Sequence, residues 1–180
     1  MESVRHRAPT RSFPLSPHTP ENRRVRVTIV DDTDDTSEVL TLVLSSTGEY
    51  DVRAYTDPVE ALGDIVEFKD VPDILLLDNR MPQLTGVEFL TALKDAGRSI
   101  PTVLSTAGKI ETPCLELVRL GVEALLPKPF ELEDLTKTLK RVSDGLRGDL
   151  EESDERIFSV DLLRPGAHEL EHRRAKVVNN

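Results

Sequence analysis

The stretch Ile74-Leu75-Leu76-Leu77-Asp78-Asn79-Arg80-Met81-Pro82 decides the fold. Four consecutive apolar residues end in an acid, which is typical of a strand buried on both faces of a parallel sheet covered by helices. Asp78 then stands at the carboxyl end of a central strand, where ligands collect in open α/β sheets. Taken alone, Asp78 fits a nucleophile or metal ligand as well as it fits a turn-forming or helix-capping residue.

Composition narrows the class of protein. The chain has 180 residues, a net charge of −10 and one cysteine, Cys114. This length favours one domain with tails, and the negative charge argues against direct binding of nucleic acid. No apolar run approaches the ~20 residues that cross a bilayer, and the N-terminus has no secretory h-region. We therefore expect a cytoplasmic protein that binds neither nucleic acid nor a membrane.

Predicted strands and helices alternate five times along the chain. Capping patterns at Asp57-Pro58-Val59-Glu60 and Thr85-Gly86-Val87-Glu88 mark two helix starts. The alternation predicts an α/β fold with a parallel sheet, helices on both faces and right-handed crossovers. The predicted strands cover residues 25–30, 51–55, 74–77, 101–105 and 123–126.

Two tails flank the predicted domain of residues 24–146. Residues 1–23 are rich in arginine and proline and predict a disordered basic arm. Residues 147–180 contain an acidic linker followed by a small apolar patch around Phe158. This segment is too short to form a core of its own, so we interpret it as either a flexible extension or a short docking segment.

Chemistry-bearing side chains follow four of the five strands. Two carboxylates about 4 Å apart repel each other by about 4 kcal/mol at an effective dielectric constant of 20. A hard divalent cation removes that penalty, and an oxygen-only ligand set favours Mg²⁺ or Mn²⁺ over zinc. We expect one cleft at the carboxyl edge of the sheet, formed by Asp31, Asp32, Asp78, Thr106 and Lys128.

Four motifs at these strand ends resemble the receiver domains of bacterial two-component response regulators. They are Val30-Asp31-Asp32, Leu77 to Pro82, Leu104-Ser105-Thr106-Ala107 and Leu126-Pro127-Lys128-Pro129-Phe130. The resemblance spans about residues 24–146 and implies a flavodoxin-like, doubly wound five-stranded parallel sheet, (βα)5, with strand order 2-1-3-4-5.

The resemblance also implies a role for each site residue. Asp78 is then the phosphoacceptor, Lys128 binds the phosphoryl oxygens, and Thr106 hydrogen-bonds the phosphorylated state. Mg²⁺ is held by Asp31, Asp32, Asp78 and the backbone carbonyl of Arg80. The Lys128–Pro129 bond is expected to be cis, which only an X-Pro bond adopts at low cost.

The implied function is a switch rather than a turnover enzyme. A sensor histidine kinase or phosphotransfer protein donates the phosphoryl group, and the phosphorylated domain changes a protein-interaction surface around its fourth helix, fifth strand and fifth helix. The downstream target is unknown, and a homodimer through the same surface is left open. The apolar arc of the fourth helix, with Leu115, Leu117, Val118 and Leu120, fits either such a surface or ordinary core.

Some residues depart from the family pattern, and two other functions stay open. Leu125 stands where receivers usually carry an aromatic switch residue, and Arg80 and Gly108 flank the expected phosphoryl group, so we predict that Arg80 mainly governs autodephosphorylation. One alternative is a receiver-like interaction module that is never phosphorylated. The other is a haloacid-dehalogenase-like phosphatase with Asp32 as nucleophile, because Asp32 to Thr36 matches its D-x-D-x-T motif.

Overall fold

The computed structural model describes residues 23–147. The predicted basic arm and the predicted tail lie outside the described residues, apart from their inner ends at Arg23 and Arg147. The strands are β1 Val25–Val30, β2 Tyr50–Tyr55, β3 Ile74–Asp78, β4 Thr102–Thr106 and β5 Val122–Pro127. The helices are α1 Asp34–Ser46, α2 Pro58–Val66, α3 Gly86–Asp95, α4 Cys114–Arg119 and α5 Leu132–Arg147.

The five strands form one parallel sheet in the order β2-β1-β3-β4-β5. The predicted flavodoxin-like, doubly wound architecture with strand order 2-1-3-4-5 is therefore confirmed. β1 has the predicted bounds, and no bound of the other four strands differs from the predicted one by more than one residue. β2 begins one residue early at Tyr50 and β5 extends to Pro127.

The sheet is covered on both faces, and β3 lies at its centre. Every residue of β3 is buried. Leu75 and Leu77 belong to the core layer under α2, α3 and α4, whereas Ile74 and Leu76 belong to the layer under α1 and α5. This double burial accounts for the unbroken apolar run in the sequence, and it fixes Asp78 at the carboxyl edge between the two layers.

Helix starts follow the capping patterns in the sequence. The Asp57 carboxylate accepts hydrogen bonds from the N–H groups of Val59 and Glu60, and Thr85 and Glu88 form a complete capping box. The first helix differs, because Thr33 occupies the N-cap position but its side chain makes no capping bond. The N–H of Thr33 instead donates to the Asp31 carboxylate at 3.0 Å.

The outer faces of two helices carry exposed apolar side chains. Leu117 on α4 and Leu120, which caps the C-terminus of α4, are buried, whereas Leu115 and Val118 on α4 are 63% and 42% exposed. The apolar arc predicted for this helix is therefore half core and half surface. On α1, Leu42 is also exposed. No helix within residues 23–147 has both the length and the apolar character required to span a membrane.

Both ends of the described chain lie at the amino edge of the sheet. The Arg23 guanidinium donates to both carboxylate oxygens of Asp73, at 2.8 and 2.7 Å, just before β3. The first residue of β1 pairs with Tyr50, the first residue of β2. Arg147, the last residue of α5, lies close enough to Tyr50 for its charge to lower the pKa of that tyrosine. Burial is the larger effect and raises the pKa of Tyr50 to about 12. The chain thus enters and leaves on the side opposite Asp78.

Candidate functional site

A lysine bridges two buried carboxylates at the carboxyl edge of the sheet. Lys128 Nζ lies 2.5 Å from Asp78 Oδ1 and 2.7 Å from Asp31 Oδ2. The two acidic side chains are 5% and 4% exposed, and the lysine is 26% exposed. Lys128 follows β5, Asp31 follows β1, and Asp78 ends β3, so three strands meet here. The Lys128–Pro129 bond is cis, as predicted.

The electrostatics of this cluster favour a charged lysine. Burial by itself lowers the pKa of Lys128, but hydrogen bonds and charge from Asp31 and Asp78 outweigh that effect, and the pKa lies above its usual value. The ammonium is therefore the counter-ion of both carboxylates. Two buried acids and one lysine still leave a net charge of −1, before the exposed Asp32 is counted.

The carboxylate of Asp78 is held on both of its oxygens. Its Oδ2 accepts a hydrogen bond from the Arg80 N–H at 2.6 Å. Its Oδ1 is contacted by Lys128 and also accepts from Ser105 Oγ at 3.3 Å. Sequence reasoning missed Ser105. The signal that identifies it is the register of β3 and β4, in which Asp78 and Ser105 are direct partners.

Thr106 reaches the same edge but is not bonded to Asp78. Its hydroxyl donates to the Gly108 carbonyl oxygen at 3.0 Å and accepts from the Gly108 N–H at 3.3 Å. The side chain therefore closes the turn after β4. Among the described residues, the hydroxyl that reaches the Asp78 carboxylate comes from Ser105, one position earlier.

The donors in this cleft suit a hard divalent cation, although they do not form a preassembled metal site. Asp31, Asp32 and Asp78 offer carboxylate oxygens, which are the ligands that Mg²⁺ prefers. Asp32 is exposed and makes no hydrogen bond or ion pair with another described residue. Within residues 23–147, no three acidic, histidine or cysteine side chains lie close enough together to hold a metal ion. The carboxylate oxygens therefore fit Mg²⁺ chemically, but the side chains of Asp31, Asp32 and Asp78 would have to rotate toward the ion to bind it together.

Two residues beside the cluster share one space. Gly108 has no side chain, and a β-carbon added there would lie only 2.5 Å from Arg80 Nη2. The Arg80 guanidinium thus fills the position that a side chain at residue 108 would take. Next to it, the Asn79 side-chain oxygen is buried and has no hydrogen-bond partner among the described residues. Sequence reasoning identified Arg80 and Gly108 but could not show that they are in contact.

The strand order and the cluster of Asp31, Asp78 and Lys128 define a flavodoxin-like domain of the receiver type. Comparison with known families agrees. Residues 27–140 match the family described as the response regulator receiver domain, and the chain belongs to that family. It therefore contains the receiver domain of a two-component response regulator.

Individual relatives give the same result. The chain is 38% identical over 138 residues to the response regulator MprA of Mycobacterium ulcerans (strain Agy99), covering 77% of this chain and 57% of that protein. It is 33% identical over 154 residues to the response regulator MprA of Mycobacterium tuberculosis (strain ATCC 25618 / H37Rv), covering 85% of this chain and 66% of that protein. The chain thus spans less than two thirds of the length of these relatives.

Solved structures resemble the chain over the same region. The crystallised chemotaxis response regulator CheY4 of Vibrio cholerae superposes with a TM-score of 0.57 at 30% identity, covering 67% of this chain and 99% of that structure. The similarity therefore extends over almost the whole of that structure.

Proposed function

We propose that this domain is a phosphoacceptor switch in a two-component phosphorelay and that Asp78 carries the phosphoryl group. The observation that supports this most directly is the contact of one ammonium with both Asp31 and Asp78 at the carboxyl edge of the sheet. A carboxylate held in this way is preoriented for attack, and a cation already stands where negative charge is transferred.

The proposed reaction is transfer from a phosphohistidine of a sensor histidine kinase or a phosphotransfer protein. An Asp78 oxygen forms a bond to phosphorus while the phosphorus–nitrogen bond breaks, and the electron pair returns to the imidazole. Lys128 neutralises charge on the transferring group, and the Arg80 N–H orients the carboxylate. The domain is modified once in each cycle, so it acts as a switch rather than a turnover enzyme.

Mg²⁺, or Mn²⁺ in its place, is the proposed cofactor. Asp31, Asp32 and Asp78, with the backbone carbonyl of Arg80, are the groups that would hold it. When bound, the ion supplies additional positive charge against the acids and the phosphoryl oxygens. Lys128 neutralises only part of the negative charge of the cleft, which leaves a reason for a cation to bind there.

The proposed output follows from Thr106. Its hydroxyl is bonded to the backbone of Gly108, so it closes the turn that leads toward α4. A phosphoryl group on Asp78 adds strong acceptors that compete for this hydroxyl. Moving Thr106 would open the turn and shift the surface formed by α4, β5 and α5, where Leu115 and Val118 are exposed. This surface is the proposed contact for a downstream protein or for a homodimer.

Of the two alternative functions, the family match excludes one and leaves the other open. The phosphatase interpretation is dropped, because the family match covers Asp32 and Asp78 within one receiver domain. A receiver-like module without phosphorylation remains the second candidate, and Leu125 favours it, because a half-buried leucine replaces the usual aromatic switch residue.

The deciding experiment is phosphorylation of the full chain by acetyl phosphate with Mg²⁺. We expect a mass gain of one phosphoryl group on the peptide that contains Asp78, and loss of that gain in Asp78→Asn. Asp95→Asn, which changes an exposed acid at the opposite edge, is the matched control and should be labelled normally. Absence of any acyl phosphate in the wild-type chain would favour the unphosphorylated module.

A further inference from the structure

Ser105 carries a buried hydroxyl for which the proposed reaction has so far given no role. Its side chain lies near the end of β4, where the preceding Val103 and Leu104 are fully buried apolar residues, and Ser105 itself is only 3% exposed. A hydroxyl buried on such a strand requires a hydrogen-bond partner. Two acceptors are within reach, Asp78 Oδ1 at 3.3 Å and the Leu77 carbonyl oxygen at 3.4 Å.

The hydroxyl has one proton and can donate to only one of these acceptors at a time. Hydrogen bonds to a charged oxygen are stronger than those to a neutral carbonyl. While Asp78 is a free carboxylate, Ser105 therefore donates to it. When Asp78 is an acyl phosphate, its carboxyl oxygens no longer carry a full negative charge, and the Leu77 carbonyl oxygen becomes an equivalent acceptor. The Ser105 hydroxyl has an acceptor whether Asp78 is free or phosphorylated, but it stabilises the free carboxylate more than the acyl phosphate.

We infer that Ser105 shortens the lifetime of the phosphorylated state by stabilising Asp78 as the leaving group. This inference rests on the proposed function. In hydrolysis, a water oxygen forms a bond to phosphorus as the bond from phosphorus to the Asp78 oxygen breaks. The electron pair of the broken bond returns to the carboxylate, and inorganic phosphate and a proton leave. Charge thus develops on the carboxyl group that Ser105 contacts.

This role differs from the one proposed for Arg80. Arg80 lies at the exposed side of the cleft beside Gly108, where it can limit access of water. Ser105 lies on the buried side, in register with Asp78, and contacts the carboxyl group itself. A purely structural change at Ser105 would loosen the site and admit water, which shortens the lifetime. Loss of a leaving-group donor lengthens it, so the direction of the change separates the two.

The test measures the half-life of the acyl phosphate after labelling with acetyl phosphate and removal of the donor. We expect Ser105→Ala to lengthen the half-life by roughly fivefold, since a hydrogen bond that strengthens only partly in the transition state is lost. Ser105→Thr keeps the hydroxyl and should stay close to wild type. Ser143→Ala removes an equally buried serine from α5 and is the matched control.

An unchanged or shorter half-life in Ser105→Ala would overturn the inference, and so would an equal lengthening in Ser143→Ala. If Ser105→Thr does not fold, the comparison of the two alanine variants still decides. Failure of the proposed function gives a different result, because the wild-type chain would then take up no label on Asp78.

Discussion

At the scale of single residues, the position of the Arg80 side chain depends on Gly108, because the arginine occupies the space that a side chain at residue 108 would fill. We expect Arg80→Ala to shorten the half-life of the acyl phosphate roughly tenfold, since it uncovers the cleft, a change of about 1.4 kcal/mol in the barrier. Gly108→Ala should displace the guanidinium and shorten the half-life in the same way. Both half-lives are measured after removal of the phosphodonor.

The double variant and a neighbouring cation provide the controls. Arg80→Ala combined with Gly108→Ala should be no faster than either single variant, because both remove the same cover. Lys109→Ala, which changes an exposed cation in the same loop, should leave the half-life unchanged. Additive effects of the two substitutions would show that the contact between them has no functional importance.

Lys128 is the residue on which the acidic cluster depends for its stability. Lys128→Gln leaves Asp31 and Asp78 buried without their shared counter-ion, and we expect the free energy of unfolding to fall by about 3 kcal/mol. Added Mg²⁺ should restore more stability to this variant than to wild type, because the ion can neutralise the same acids. Urea unfolding with and without Mg²⁺ measures both effects.

Lys137→Gln is the matched control for that measurement. Lys137 pairs with Glu133 at 2.7 Å on the surface of α5, where both side chains are largely exposed. An exposed pair of this kind contributes little to stability, because solvent screens the charges. Equal losses in the two variants, or no response to Mg²⁺ in Lys128→Gln, would mean that Lys128 does not act as the counter-ion.

The sequence was sufficient to predict which residues meet, but not how they bond. Asp31, Asp78 and Lys128 each follow a strand, and the carboxyl ends of parallel strands share one edge, so their meeting follows from the order of elements. The contact of Ser105 with Asp78 depends on strand register, and the turn of Thr106 toward Gly108 depends on a side-chain rotamer. Neither is encoded in the spacing of motifs.

At the scale of elements, the start of α3 is pressed against the end of β3. A β-carbon added to Gly86, the first residue of α3, would lie 2.7 Å from the Asp78 carbonyl oxygen and 2.9 Å from Asn79 Cα. Because these atoms are backbone, they cannot move away cheaply. We expect Gly86→Ala to cost about 2 kcal/mol of unfolding free energy and to slow labelling of Asp78.

Gly63→Ala is the contrasting substitution in α2. No atom lies within 4 Å of a β-carbon at Gly63, and the residue is inside a helix. Alanine there should stabilise the protein by about 0.5–1 kcal/mol and leave labelling unchanged. Thermal or urea unfolding compares the two variants. A neutral Gly86→Ala would contradict the close packing of α3 on the acceptor strand.

Element types were predictable because local signals and burial agree. The capping box at Thr85 and the cap at Asp57 are bonded as their sequences predict. The ambiguous case was α4, a helix of only six residues, whose apolar arc has two buried and two exposed members. The spacing of apolar residues could not show which members of this arc are buried, because an exposed leucine and a buried leucine contribute equally to the pattern.

At the scale of the whole molecule, two buried tyrosines make stability depend on alkaline pH. Burial is the main cause that raises the pKa values of Tyr50 and Tyr55 to about 12 from the usual 10, and a hydrogen bond to Asp64 adds to it for Tyr55. Between pH 10 and 12 the unfolded chain loses these protons while the folded chain keeps them. We therefore expect the free energy of unfolding to decrease as pH rises through this range.

Urea unfolding at a series of pH values from 9 to 12 tests this expectation, with about one pH unit between points. The variant with both Tyr50→Phe and Tyr55→Phe should show a shallower decrease than wild type. If the two slopes are the same, groups other than these tyrosines set the alkaline limit.

The entry of the chain at Arg23 and its exit at Arg147, both on the side remote from Lys128, make the domain a self-contained cassette. In a longer polypeptide, a segment joined at Arg23 or at Arg147 is attached at the amino edge of the sheet. A module joined at either of these two points is therefore attached at the edge of the sheet remote from Asp31, Asp78 and Lys128, so it can be exchanged without altering the acidic cluster.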